Sequence, residues 1–394
     1  MSNGSSFRLK RRDFFIKSVQ LVGAACLGSM YGGAVTGCST LDDYLIDDQF
    51  DLDKEVVIIG GGIVGLYIAY ELKKNRVPFK LFEASSRLGG KIQTVDNMDW
   101  GAITFNSKDE FLNKLVSELQ LSKRPLPNAE WTLTKGVSSL TDELSDVVKG
   151  LVPEQQIRMN YRLSSVKKFG SRYQLTFQGP DKERVFFAKK LILALPQKAL
   201  LEIQGLNEIQ DVSPLLTELR KVESYATIRV VLPLAKINTT YKISNRLLAQ
   251  SIESFFMKDQ DVLKFQVRAM QKDHLVYLTF RMTQDYPLRS MSNLESYVQK
   301  ISDSTVVLSG DNCKDWGSVS SDTRESLLKT TSVDWSQFFP KEHLRVLTES
   351  FVTASEYESN MNSQKLLKNK ANISSIESLL RLASKEVEFF RLDM

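Results

Sequence analysis

The stretch from Glu55 to Glu83, EVVIIGGGIVGLYIAYELKKNRVPFKLFE, restricts the fold more than any other part of the chain. Val56 to Ile59 form a short β-branched run, the pattern of a strand buried on both faces of a parallel sheet. Gly60, Gly62 and Gly65 then fit G-x-G-x-x-G. From Ile63 to about Lys74 the apolar positions Val64, Tyr67, Ile68 and Leu72 recur at helical spacing, and Phe79 to Phe82 give a second strand that ends at Glu83. Each part has a physical duty. Gly60 permits the tight turn, Gly62 lets a pyrophosphate approach the backbone, and Gly65 lets helix and strand pack closely. Free N–H groups at the helix start, those of Ile63 and Val64 included, stabilise the phosphates together with the helix dipole. Glu83, at the tip of the second strand, is placed to accept hydrogen bonds from both hydroxyls of a ribose and would repel a 2′-phosphate. A lone glycine motif is weak, but strand, glycines, helix, strand and acid in this order point to a dinucleotide site.

Charge and rare residues narrow the function. Most of the formal charge of +5 belongs to the first 37 residues, where Arg8, Lys10, Arg11, Arg12 and Lys17 face only Asp13. Removing those five bases and one acid from the totals of 52 and 47 leaves the rest of the chain nearly neutral, which does not suggest nucleic acid as a partner. The three cysteines are Cys26, Cys38 and Cys313, too scattered for a disulfide framework, and the two histidines, His274 and His343, give little material for a metal site or a Ser-His-Asp triad.

Residues 1–37 read as an export leader: a basic start ending in Arg11 and Arg12, a weakly apolar and glycine-rich middle, and small residues at the exit. The arginine pair resembles a twin-arginine signal, and VTGC, Val35 to Cys38, resembles the lipobox in which the cysteine is lipidated. The expectation is a protein exported by the twin-arginine route and lipid-anchored through Cys38 at the periplasmic side of a bacterial envelope, with Ser39 fitting outer-membrane sorting. Residues 38–53, with six aspartates, read as a solvated tether.

FEASSRLGGKIQT, Phe82 to Thr94, resembles the segment after the second strand in the flavin-containing amine oxidase superfamily. The resemblance implies FAD as cofactor, with Glu83 on the adenosine ribose and Ala84, Arg87, Gly89, Gly90 and Lys91 along the pyrophosphate and flavin. It also implies a reason for the leader, since a cofactor inserted in the cytoplasm must cross the membrane in a folded protein. The implied fold is α/β: a discontinuous Rossmann-type (GR2-like) FAD-binding domain built from about 54–95, 150–205 and 340–394, with an α+β substrate domain from 96–149 and 206–339. WGAITF, Trp100 to Phe105, is similar to the segment whose backbone lies beneath the flavin, which assigns Gly101, Ala102, Ile103 and Thr104 to the cofactor. Thr104 replaces the family's arginine for a substrate carboxylate, so a plain amino acid fits less well.

Residues 159–196 alternate apolar and polar side chains around FGSR and GPDK turns and resemble the family's β-meander, with Leu163 at the position that packs on the adenine. Read alone, the segment is a β-rich core hairpin. KVESYATIRVVLP, Lys221 to Pro233, resembles the first strand of the substrate domain. Arg229 takes the place of a lysine that holds a water near the flavin and is the candidate catalytic residue. Without the resemblance it reads as a solvated strand residue. FVTASEYES, Phe351 to Ser359, resembles a segment that would set Glu356 near the ribityl and pyrophosphate groups, with Ser355 in place of glycine. SSIESLLRLAS, Ser374 to Ser384, resembles the helix whose start faces the flavin, which assigns Ile376 and Glu377; Ser375 stands where an aromatic cage residue is common. The implied activity is hydride transfer from an amine or amino-acid-like donor, a small molecule, to flavin N5, with reoxidation by oxygen or another acceptor. Two alternatives stay open: desaturation or ring oxidation of a lipophilic donor, and a degenerate FAD-binding lipoprotein without catalysis.

Overall fold

A computed structural model describes residues 52–394 apart from 103–104, 107–108, 127–129, 151–155, 222–223, 237–251, 256–264, 273–274, 284–297, 300–312, 321–343, 349–374 and 393–394. The described residues belong to one unit, Asp51–Met394. Ile103, Thr104, Glu356 and Cys38, with the whole leader and nearly all of the tether, lie outside the described residues.

Strand β1 (Val56–Ile59) leads through the glycine turn into helix α1 (Ile63–Lys74) and back into β2 (Phe79–Phe82). Every residue of both strands is buried, and all but Lys80 of β2 are apolar. Helices α2 (Glu110–Glu118) and α3 (Ser138–Lys149) follow, then the short strand β3 (Ile157–Arg158). The meander β4 (Arg162–Phe169), β5 (Arg172–Gln178) and β6 (Glu183–Ala188) turns at FGSR and GPDK as expected, and β7 (Lys190–Ala194) returns to the first sheet. A second large sheet uses β8 (Ser224–Pro233), β9 (Ile252–Phe255), β10 (Phe265–Lys272), β11 (Leu275–Thr283) and β12 (Cys313–Ser320). The chain closes with β13 (Leu344–Leu347) and helix α4 (Ser375–Leu392).

The first sheet is parallel throughout, in the order β13-β7-β1-β2-β3. Alternation along its strands divides the core. On one face Ile58 sits beneath Gly65 of α1. On the other, Phe82 stacks on Phe177 of the meander with ring centroids 4.4 Å apart, joined by Tyr161 and Phe186. Among the described residues no helix is long and apolar enough to cross a membrane. The second sheet is antiparallel, ordered β9-β10-β11-β8-β12, so β8 lies inside it rather than at an edge.

One strand of the parallel sheet buries a lysine at its centre. Lys80, in the middle of β2, is 1 % exposed. Burial pushes its ammonium pKa down to about 8, opposed by the nearby Glu55 carboxylate. Because the folded pKa lies below the unfolded value, both states are protonated below pH 8 and burying the charge costs stability there. As pH rises from 8 towards the unfolded value of about 10.4, the unfolded chain holds the proton longer and the fold gains. Thermal melts should therefore show the wild type gaining on Lys80→Met between pH 8 and 10, by on the order of 1–2 kcal/mol. A difference that stays flat across this range would show that the lysine titrates in the ordinary way.

Candidate functional site

The β1–α1 turn forms a cradle. Gly60 has φ +106°, and a Cβ at Gly65 would overlap the Gly60 carbonyl oxygen, so strand and helix meet at a separation only glycine allows. Gly62 differs. A Cβ there would find only the Gly90 Cα, at 3.9 Å, so packing within the chain does not call for glycine at this position. The space in front of Gly62 is what a missing side chain leaves for a group brought close to the backbone. Gly62 is also the N-cap of α1, which has no side-chain cap and no acidic residue in its first turn. Its first amides, those of Ile63 and Val64 among them, form an anion-attracting end whose own turn supplies no acid.

Glu83 stands at the end of β2 beside this cradle. Its Oε2 accepts from the Gly61 N–H at 2.6 Å and its Oε1 from the Ser85 N–H at 2.8 Å. Two backbone amides thus aim the carboxylate, with the Ser85 hydroxyl also 2.7 Å from Oε1, and the remaining acceptor capacity is left for hydroxyl donors. The RLGGK loop closes the other side. Gly62 and Gly89 form a parallel bridge, and the Gly89 N–H donates to the Gly61 carbonyl at 2.8 Å. Arg87 turns inward to its own loop, donating to the carbonyls of Leu88, Gly90 and Ile92, and so holds the loop's shape. Gly90 lies against Gly62 and the Lys91 carbonyl against Gly101, while Ala84 is exposed next to Glu83.

Arg229 corrects the reading of a solvated strand residue. It is 8 % exposed, and its guanidinium donates to the carbonyls of Gly101 and, at 3.4 Å, Asp99. The reason is its place on β8, inside the second sheet and against the segment after β2, where backbone carbonyls supply acceptors. Asp99 is the hub of that contact. Fully buried, its carboxylate accepts from Thr94 Oγ1 at 2.6 Å and from the Val137 N–H at 3.1 Å, and its own N–H donates to the Tyr277 hydroxyl of β11 at 3.3 Å. Gly101 is pressed so close to the Lys91 carbonyl that a Cβ would overlap it. The Gly101–Ala102 backbone is therefore fixed from three directions: by the RLGGK loop, by α3 through Asp99, and by the second sheet through Arg229 and Tyr277.

Two other assignments land in packing. Leu163 is buried on β4 opposite Phe177 of β5. Glu377 lies in the first turn of α4, as the resemblance implies, and extends a helix that runs to Leu392. Its carboxylate, 3 % exposed, is committed elsewhere than the cradle. It accepts from the N–H groups of Phe111 at 3.0 Å and Leu112 at 2.8 Å, at the start of α2, and pairs with Arg381 Nε at 2.7 Å. Ile376 belongs to the same first turn. A cleft of about 530 Å³ opens behind the 86–94 loop, lined by Arg87, Thr94, Thr141, Ser145 and Met159 among others. Neither Glu83 nor the glycine turn lines it, so it is distinct from the cradle.

Sequence reasoning did not single out Gly61, Ser85, Asp99 or Tyr277. Gly61 is the middle of a glycine triplet, and a Cβ there would press on the Leu88 and Glu83 side chains. Ser85, two residues after the acid, carried a turn signal that could have been read. Asp99 in MDWGA was a lone acid beside a tryptophan, and Tyr277 had no local signal.

Residues 58–119 match the family described as NAD(P)-binding Rossmann-like domain. Coproporphyrinogen III oxidase from Bacillus subtilis (strain 168) is 47 % identical over 79 residues, which cover 18 % of this chain and 16 % of that protein. The chain therefore matches only about a sixth of that curated relative's length. Among solved structures, wild-type putrescine oxidase bound to putrescine aligns with TM-score 0.55 at 11 % identity, over 86 % of this chain and 99 % of that one. Cyclohexylamine oxidase from Brevibacterium oxydans IH-35A aligns with TM-score 0.54 at 11 % identity, over the same shares. The sheet, the glycine turn and these likenesses lead to one conclusion: residues 58–119 are a Rossmann-like dinucleotide-binding unit, in a chain that shares the fold of putrescine oxidase and cyclohexylamine oxidase.

Proposed function

We propose that the protein is an FAD-dependent oxidoreductase of the flavin amine oxidase type, acting on an amine or amino-acid-like donor. The observation that carries the reading is the pairing of an open cradle at Gly62 with a carboxylate, Glu83, already aimed by two backbone amides. A diphosphate fits the first and a ribose diol the second, so the residues present suit the adenosine diphosphate half of FAD. Bound there, FAD would supply the acceptor for a hydride from the carbon bearing the donor's nitrogen. The chain's own part is placement. The α1 amides hold the diphosphate, Glu83 grips the sugar, and the Gly101–Ala102 backbone, braced by Arg229 and Asp99, supplies a fixed floor. Arg229 thereby acts as a positioning residue through Gly101.

A second reading, ring oxidation of a lipophilic donor, is favoured by the likeness to coproporphyrinogen III oxidase. That likeness lies in a segment of 79 residues, which speaks more to the cofactor than to the donor. Export through Arg11 and Arg12 and lipidation of Cys38 belong to the same proposal, on the strength of the leader's sequence. The test is spectroscopic. Gently purified protein should show the visible bands of oxidised flavin, and these should bleach anaerobically on addition of amines. Bleaching by a porphyrinogen and by no amine would favour the second reading. Protein that is colourless and takes up no FAD on titration would remove both.

A further inference from the structure

The outer face of the meander carries apolar side chains that the fold leaves in water. Phe169, at the tip of the β4–β5 turn, is 67 % exposed, and Val185 and Phe187 on the edge strand β6 are also exposed. Alternation explains their direction, since Val166, Leu175 and Phe177 on the inner face of the same sheet are fully buried. The Phe169 and Phe187 rings meet edge to face at 6.4 Å, which makes a patch rather than scattered single residues. Positive charge surrounds it. From Arg162 to Lys190 the chain has eight basic and two acidic residues, whereas the rest of the chain after residue 37 has 39 basic and 44 acidic, and Lys167 and Lys189 are both exposed.

A second observation fixes where the upstream chain leaves the body. The Asp53 carboxylate accepts from Arg172 Nε at 2.8 Å in a two-pronged ion pair, with Lys189 Nζ at 4.0 Å. The same Arg172 guanidinium lies over the Phe187 ring, 6.0 Å from its centroid. The last aspartate of the tether is thus pinned beside the aromatic patch. Only fourteen residues lie between Cys38 and Asp53. Such a stretch spans roughly 20 Å as a flexible coil and about 50 Å at full extension.

We propose that the outer face of the meander is a membrane-docking surface that seats on an anionic bilayer. Phe169, Val185 and Phe187 enter the headgroup boundary, and Lys167 and Lys189, on the same face by alternation, meet lipid phosphates. The lipid anchor at Cys38, part of the functional reading above, would bring this face to the bilayer. One acyl signal alone gives marginal, reversible binding, and a basic, apolar face is the kind of second signal that makes anchoring stable. The surface itself does not depend on that anchor, which allows a separate test.

The full chain carrying Cys38→Ser, as purified, is sedimented with phosphatidylcholine vesicles that contain or lack phosphatidylglycerol. It should bind the phosphatidylglycerol vesicles and release on raising salt. Phe169→Ser with Phe187→Ser should weaken binding by about tenfold or more at an unchanged melting temperature. If that pair disturbs folding, Lys167→Glu with Lys189→Glu, both exposed, should give a similar loss. Equal recovery with and without phosphatidylglycerol, or undiminished binding of the variants, overturns the proposal. So does concentration-dependent self-association without vesicles that the phenylalanine variant abolishes, which would identify a second copy as the occupant. Mass analysis of the exported protein at Cys38 tests the lipid anchor independently.

Discussion

Gly62→Val is expected to give a protein that folds, melts close to the wild type, and carries no flavin. A Cβ at Gly62 would meet nothing nearer than the Gly90 Cα at 3.9 Å, so the protein itself can accommodate a branched side chain there. It then occupies the place of the diphosphate and covers the α1 amides. The expected fall in FAD affinity is a hundredfold or more, about 3 kcal/mol, since both the close approach and the charge-dipole contacts are lost. Gly65→Val, three residues on, should behave differently. Its Cβ would overlap the Gly60 carbonyl, a backbone atom that cannot rotate away, so the β1–α1 turn must open and the parallel sheet shifts with it. We expect a loss of about 3 kcal/mol or more in stability, read as insoluble or early-melting protein. The pair separates cofactor space from packing space. A flavin-bound Gly62→Val protein would show that the diphosphate lies elsewhere, whatever Gly65→Val does.

Glu377→Ala should cost about 3 kcal/mol and lower the melting temperature by roughly 5 °C. The carboxylate satisfies two of the amides that the start of α2 leaves without intrahelical partners, and it does so from a buried position on a different helix. Removing it strands both N–H groups and takes a negative charge from the positive end of the helix. Arg381, 42 % exposed at its side chain, can turn to solvent, so its loss of partner adds little. Glu377→Gln keeps one good acceptor and should fall between the two. A Glu377→Ala protein that melts like the wild type while losing flavin would show instead that the residue serves the cofactor directly.

The elements legible in the sequence are those whose signals are local. The first βαβ unit is an example: β1, α1 and β2 begin and end where hydrophobic period and glycine spacing place them, because each needs only its own dozen residues to specify it. The meander turns were equally plain in FGSR and GPDK. The burial of Arg229 was not, since its acceptors at Asp99 and Gly101 lie about 130 residues away in sequence and are backbone carbonyls that no side-chain pattern marks. Glu377 is a similar case. The resemblance set it at a helix start that faces the flavin, but its partners are amides 266 and 265 residues distant, and proximity of that kind is set only by tertiary packing.

The strand order of the parallel sheet has a kinetic side. β1 sits in the middle, and the outermost neighbour on the β7 side, β13, is synthesised about 290 residues after β1. The helix that caps α2 follows later still. At roughly 5–20 residues per second on the ribosome, the nucleotide cradle emerges tens of seconds before the last strand that flanks its sheet exists. Maturation is therefore gated by the end of translation, and a chain stopped short of Leu344 would hold every glycine of the fingerprint yet lack the frame that keeps them in place.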